Sequence, residues 1–178
     1  QSYVSRYLFI IVFFRFLLKY LEQTSMKNII IMVAILGIST FNRESSALSI
    51  SLAATLLYAK CGIKKESIVP LGILTATFIG VYISMRLLSN IFTTNDGNLL
   101  VENFTQPKNW LGILFWIVFF MFTMLLAKSN AAKRNIIMFH IVSLPYLLMC
   151  FYTGILYEMR LYVPLFVTSI LLAKTNHN

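Results

Sequence analysis

The chain has 178 residues, of which 58% are apolar and only 12% charged, about half the charged share of an ordinary soluble domain. With a mean hydropathy of +0.78, it has too little polar surface for a water-soluble enzyme and too much apolar content for a disordered chain or a collagen-like fibre. The net charge of +9 comes from fifteen Lys and Arg against six Asp and Glu, but these bases lie in short loops between apolar runs, the positive-inside pattern of a membrane protein and not a nucleic-acid footprint.

A helix needs about 20 apolar residues to cross the hydrocarbon core. Tyr7 to Leu18 is shorter and carries Arg15, which suits an interfacial helix or the remnant of a truncated span, and breaks the layout of a signal peptide. Ile29 to Phe41 and Ala47 to Ala59 are each about 20 Å long as helices, short of the ~30 Å core. Only Asn42-Arg43-Glu44-Ser45-Ser46 separates them. Three uncharged runs predict full spans: Ile68 to Met85, Trp110 to Ala127 and Ile136 to Leu156. Pro70 and Pro145 inside them are tolerable where neighbours supply the missing hydrogen bonds. Between the first two spans, Leu87 to Asn109 predicts a long loop with a turn at Asn95-Asp96-Gly97, a sequon at Asn103-Phe104-Thr105 of the kind that arises often by chance, and Trp110 as an interfacial anchor. Leu161 to Ala173 is again short and follows Tyr157-Glu158-Met159-Arg160. Gly72, Gly80 and Gly112 are candidates for close helix contact. Cys61 and Cys150 fall at different depths, so neither a disulfide nor a metal site is expected, and no cofactor motif is present.

Charge orients these segments. Lys19, Lys27, Lys60, Lys64, Lys65, Lys128, Lys133, Arg134 and Lys174 all fall on one side, the cytoplasmic one, leaving Arg6, Arg43, Arg86, Lys108 and Arg160 opposite. The predicted fold is an all-α polytopic transmembrane bundle of three full spans and three or four short or broken helices. It forms a single transmembrane domain over residues 1–178; a first residue Gln1 in place of Met fits a fragment of a larger membrane protein or a processed product.

This orientation gathers Asn42, Arg43, Glu44, Arg86, Glu158 and Arg160 at the outer side. An Arg or Glu at membrane depth costs roughly 2.5 to 3.5 kcal/mol on insertion scales, so such residues pair or line a polar cavity. Arg43 with Glu158 and Glu44 with Arg160 would lock two hairpins as salt bridges, and Arg86 alone would serve as a snorkelling helix-end anchor. The functional reading makes Asn42, Arg43, Arg86 and Arg160 a substrate site, because guanidinium forks match phosphate oxygens. Glu44 or Glu158 would then be the general base on an acceptor hydroxyl. His140, near the start of its span, reads as a hydrogen-bonded interior residue, and Asp96 and Glu102 as solvated loop charges.

Asn42-Arg43-Glu44-Ser45 after an apolar run, with Glu158-Met159-Arg160 before Pro164, resembles patterns in bacterial multi-spanning polysaccharide polymerases and membrane-embedded glycosyltransferases with lipid-phosphate donors. The resemblance implies an outward-facing cavity, arginines on a pyrophosphate, an acidic residue near the acceptor, and a lipid-linked sugar phosphate as substrate. It also implies a bacterial inner or plasma membrane and envelope glycan assembly at the outer leaflet. Two alternatives stand beside it. One is a non-catalytic subunit of a larger membrane complex, since richness in Ile, Phe, Lys and Asn suits an AT-rich genome, including an organellar one. The other is a transporter, whose polar path toward the cytoplasm would rest on His140 and Ser143.

Overall fold

The computed structural model describes residues 3–42, 44–89 and 99–175, and for residues 3–6, 42, 44, 89 and 160 the backbone alone. All regular structure among them is helical: α1 Tyr3–Glu22, α2 Met26–Asn42, α3 Ala47–Cys61, α4 Lys65–Ser89, α5 Leu100–Thr105, α6 Pro107–Leu126, α7 Asn130–Val142, α8 Leu144–Thr153 and α9 Val163–Ala173. Single 3-10 turns occupy Glu44–Ser46 and Met159–Leu161. The chain divides into two compact units, Gln1–Phe92 and Thr93–Asn178.

In the first unit α1 packs on α2 and α3, and α4 packs on α2 and α3. Each helix presents one stripe to the core. Ile10, Phe13, Phe14, Leu17 and Leu21 of α1 recur at helical spacing, as do Ile29, Met32 and Leu36 of α2 and Leu48, Leu52 and Leu56 of α3. α4 joins this core only through Ser67, Pro70 and Leu74; no described residue of α4 beyond Leu74 is buried.

Polar groups close the ends of the first unit. Gly62, at φ 65°, ends α3 in the left-handed region and donates its N–H to the Tyr58 carbonyl, while the Ser67 hydroxyl donates to the Gly62 carbonyl at 2.6 Å. Lys60 donates to the Leu21 carbonyl. Pro70 has no N–H for the Glu66 carbonyl one turn back, and the Tyr20 hydroxyl of α1 donates to that oxygen at 3.2 Å.

In the second unit α9 is the centre, packed on α6 and α7. It is mostly apolar and is buried at Leu165, Phe166, Leu172 and Ala173. Its buried hydroxyls on Thr168 and Ser169 return to the carbonyls of Pro164 and Leu165, both at 2.8 Å. Phe166 stacks on Phe119 of α6 at 4.1 Å and meets Phe115 edge-on at 5.3 Å. α7 opens with Ser129, whose hydroxyl accepts the Ala132 N–H at 3.1 Å.

Among the described residues two helices are long and apolar enough to cross a membrane, Lys65–Leu88 of α4 and Pro107–Leu126 of α6, in accord with two of the predicted spans. The expected span over 136–156 is instead a bent pair, α7 and α8, meeting at 46°. Among the described residues the candidate spans therefore number two, or three if the bent pair is one. Pro145 explains the break, because it cannot donate to the Ile141 carbonyl and its ring crowds the preceding turn. The expected loop over 87–109 is partly helical: α4 runs to Ser89, and α5 and α6 occupy the residues from Leu100. The predicted turn at Asn95-Asp96-Gly97 lies outside the described residues.

Candidate functional site

The six residues expected at the outer side fall into both units. Asn42 ends α2 and Glu44 opens the 3-10 turn that leads into α3. Beside them the buried hydroxyls of Thr40 and Ser46 lie 3.1 Å apart, and Thr40 also donates to the Leu36 carbonyl at 2.7 Å. Arg43, and the side chains of Asn42, Glu44 and Arg160, lie outside the described residues, and so do the salt bridges expected through them. Arg86 is in the last turn of α4, where its Nε and Nη2 donate to the Tyr82 hydroxyl at 3.2 and 3.0 Å. Its guanidinium also lies 5.2 Å from the Tyr82 ring centre. Tyr82, one turn back on the same helix, thus holds the arginine, as suits a helix-end anchor.

Glu158 and Arg160 belong to the second unit. Glu158 is half-buried and precedes the 3-10 turn, taking the Leu161 N–H on its carbonyl at 3.1 Å. This junction is held from three directions. Asn103, only 1% exposed, donates through Nδ2 to the carbonyls of Phe151 and Gly154 at 2.9 and 2.7 Å, and accepts the Leu156 N–H on Oδ1 at 3.2 Å. With its amide fully used and buried, Asn103 is not available as a glycan acceptor in this fold. Gly112 of α6 lies against the Leu156 carbonyl so closely that an added Cβ would stand 1.7 Å from that oxygen. The same test at Gly72 and Gly80 meets nothing within 4 Å, so only Gly112 of the three expected glycines marks a close approach. Finally, the Tyr146 hydroxyl donates to the Leu161 carbonyl at 2.9 Å. Lys108, exposed at the start of α6, lies 5.3 Å from the ring centre of Tyr157.

A second feature sits at the bend. Trp116, Ile117, Phe120, Ile137, His140, Ile141, Leu144 and Leu147 line a surface-open cavity of about 260 Å³ between α6, α7 and α8. His140 is 7% exposed, and its Nδ1 lies 2.9 Å from the Ile136 carbonyl. A carbonyl only accepts, so Nδ1 carries the proton; in the neutral ring Nε2 is then a bare acceptor. Neither that Nε2 nor the indole N–H of Trp116 has a partner, and the Ser143 hydroxyl at the bend has none either. Each such orphan costs about 1–3 kcal/mol. The His140 ring centre is 6.1 Å from that of Trp116 and 4.9 Å from that of Phe120.

His140 was visible in the sequence as a lone polar residue in a span, and Ser143 as its neighbour. Trp116 was not: an indole in an apolar run reads as packing until its nitrogen is found without a partner. Among the described residues no three His, Cys, Asp or Glu side chains group as a metal centre, and Cys61 and Cys150 are free thiols. Comparison with protein families, with curated proteins and with solved structures gives no match for this chain.

Proposed function

We propose that this protein engages a lipid-linked sugar phosphate at the outer face of a membrane, as a transferase or polymerase of envelope glycan assembly. The observation that carries the reading is the construction of the second junction. A connector between two helices needs no buried asparagine with three hydrogen bonds and no glycine pressed on its carbonyl. A segment whose ionic side chains must meet a headgroup at a set depth does need such support. On the orientation favoured by the loop charges this junction faces outward. Arg160 would take phosphate oxygens as a bidentate donor, and Glu158 would accept the proton of the acceptor hydroxyl. Asn42, Arg43, Glu44 and Arg86 provide a further set of the same chemistry in the first unit.

The test uses the full chain in liposomes with a polyprenyl-pyrophosphate-linked sugar. Arg160→Ala is expected to weaken binding by about tenfold or more, the loss of a charge-assisted hydrogen bond. Glu158→Gln is expected to keep binding and lose transfer. Unchanged binding and transfer in both variants, with normal accumulation in the membrane, would sink the reading.

A second reading, a subunit of a larger membrane complex, is favoured by exposure. Among the described residues only Ser67, Pro70 and Leu74 of α4 and Asn109, Gly112 and Thr123 of α6 are buried within the chain. Partner helices would cover these sides, and cross-linking in native membranes separates that case from a chain surrounded by lipid alone.

A further inference from the structure

We infer that the end of the first unit where α1 and α3 finish and α2 and α4 begin is a docking surface for the headgroup of an anionic phospholipid. The inference uses none of the junction residues and stands or falls without them. Two short turns, 23–25 and 62–64, join these four helix ends in pairs. Two hydrogen bonds then close the pairs into one surface. Lys60 of α3 donates to the Leu21 carbonyl of α1, and the Tyr20 hydroxyl of α1 donates to the Glu66 carbonyl of α4. Lys19, Lys27, Lys60, Lys64 and Lys65 all stand exposed on it, against Glu22 and Glu66.

The helices that carry these lysines account for only two of them. Lys19 and Lys60 lie in the last turns of α1 and α3, where a cation offsets the negative end of the helix dipole. Lys27 lies in the first turn of α2, which has no acidic residue, and Lys64 and Lys65 stand at the start of α4; there the dipole is positive and opposes a cation. Among the described residues no side-chain hydrogen bond or ion pair holds any of these three. Their charge is left for an anion outside the chain. The surface also shows that this anion carries an apolar body. Ile63 is 77% exposed between Gly62 and Lys64, Met26 is 65% exposed beside Lys27, and Ile68 is exposed in the first turn of α4. An aqueous tip gains nothing from such residues. Bases interleaved with exposed apolar side chains match a phosphate headgroup above its acyl chains. On the orientation favoured by the loop charges this end is cytoplasmic, the leaflet in which anionic lipids gather.

The test uses the full-length protein in neutral detergent micelles, titrated with dioleoyl phosphatidylglycerol or dioleoyl phosphatidylcholine, with bound lipid counted by native mass spectrometry. At low salt the anionic lipid should bind at least about tenfold more tightly, since each lysine near an anionic surface contributes about fivefold. The margin should shrink as salt screens it. Lys27→Gln, Lys64→Gln and Lys65→Gln together should remove most of the preference; Lys60 stays because it bonds a backbone carbonyl. The same charge removed from the second unit, by Lys128→Gln, Lys133→Gln and Arg134→Gln, should leave most of it. Glycerophosphoglycerol, the same headgroup without acyl chains, should compete about a hundredfold more weakly or worse, which separates a lipid from a free phosphate. Equal binding of the two lipids by the unsubstituted protein overturns the proposal whether or not the variants fold. So does a preference that survives loss of Lys27, Lys64 and Lys65, an equal loss from the two triple substitutions, or equal competition by the soluble headgroup.

Discussion

Pro70 and Pro145 both interrupt apolar helices, yet the two units respond differently. In the first, the Glu66 carbonyl freed by Pro70 receives the Tyr20 hydroxyl from α1, and α4 continues as one helix. In the second, the chain bends by 46° at Pro145, with the Ser143 hydroxyl and, one turn earlier, His140 Nε2 left unpaired. The contrast extends beyond the prolines. The described buried side-chain atoms without a partner are on Asn109, Trp116, His140, Ser143 and Tyr162, all in the second unit. Among the described residues of the first unit no buried side-chain polar atom lacks a partner. A unit that buries polar atoms without partners carries an uncompensated cost. The lesson is that unpaired groups, more than charged ones, mark where this molecule is incomplete.

Three substitutions and one control, Gly80→Ala, sharpen or break that contrast, with thiol alkylation as a unit-specific readout: Cys61 reports the first unit, and buried Cys150 the second. Gly112→Ala should have the largest effect, because its Cβ would overlap a backbone carbonyl that cannot swing aside as a side chain can. A loss of about 3 kcal/mol or more is expected, at the upper end of overpacking costs, seen as rapid alkylation of Cys150 and a lower melting temperature in detergent. Gly80→Ala, facing open space, should be neutral or slightly stabilising by helix propensity. Tyr20→Phe should come next, at about 1–2 kcal/mol, because it leaves the Glu66 carbonyl without its substitute donor. Cys61 should become more reactive while Cys150 stays protected; the reverse would mean that the hydroxyl does not stabilise the proline-bearing helix. Ser143→Ala should have the smallest effect, within about 0.5 kcal/mol or mildly stabilising, since it removes a hydroxyl that has no partner to lose. A large destabilisation by Ser143→Ala would show that the bend satisfies its polar groups after all and would end the contrast between the units.

Much of the fold was legible in advance. The uncharged runs at 68–85 and 110–127 match α4 and α6 because length and apolarity are properties of a segment by itself. The short runs around Asn42 and Glu158 were equally readable as elements that cannot cross a membrane alone. The bend between α7 and α8 was only half readable: Pro145 is plain in the sequence, but Pro70 is equally plain and its helix runs on. Which proline breaks a helix depends on whether a neighbour brings a donor to the freed carbonyl. Asn103 shows the same limit, a surface sequon by pattern and a buried anchor of the second junction in space.

Composition and hydrophobic run length settled by themselves that this is a helical chain suited to a membrane, because the transfer of apolar side chains is additive along the sequence and indifferent to neighbours. Tertiary structure alone decided that Gly112 must be glycine, that α9 is a core, and that Trp116 and His140 share a cavity with nothing to bond. Those outcomes depend on close approach and on hydrogen-bond pairing between distant segments, and both are set by which helix lies beside which.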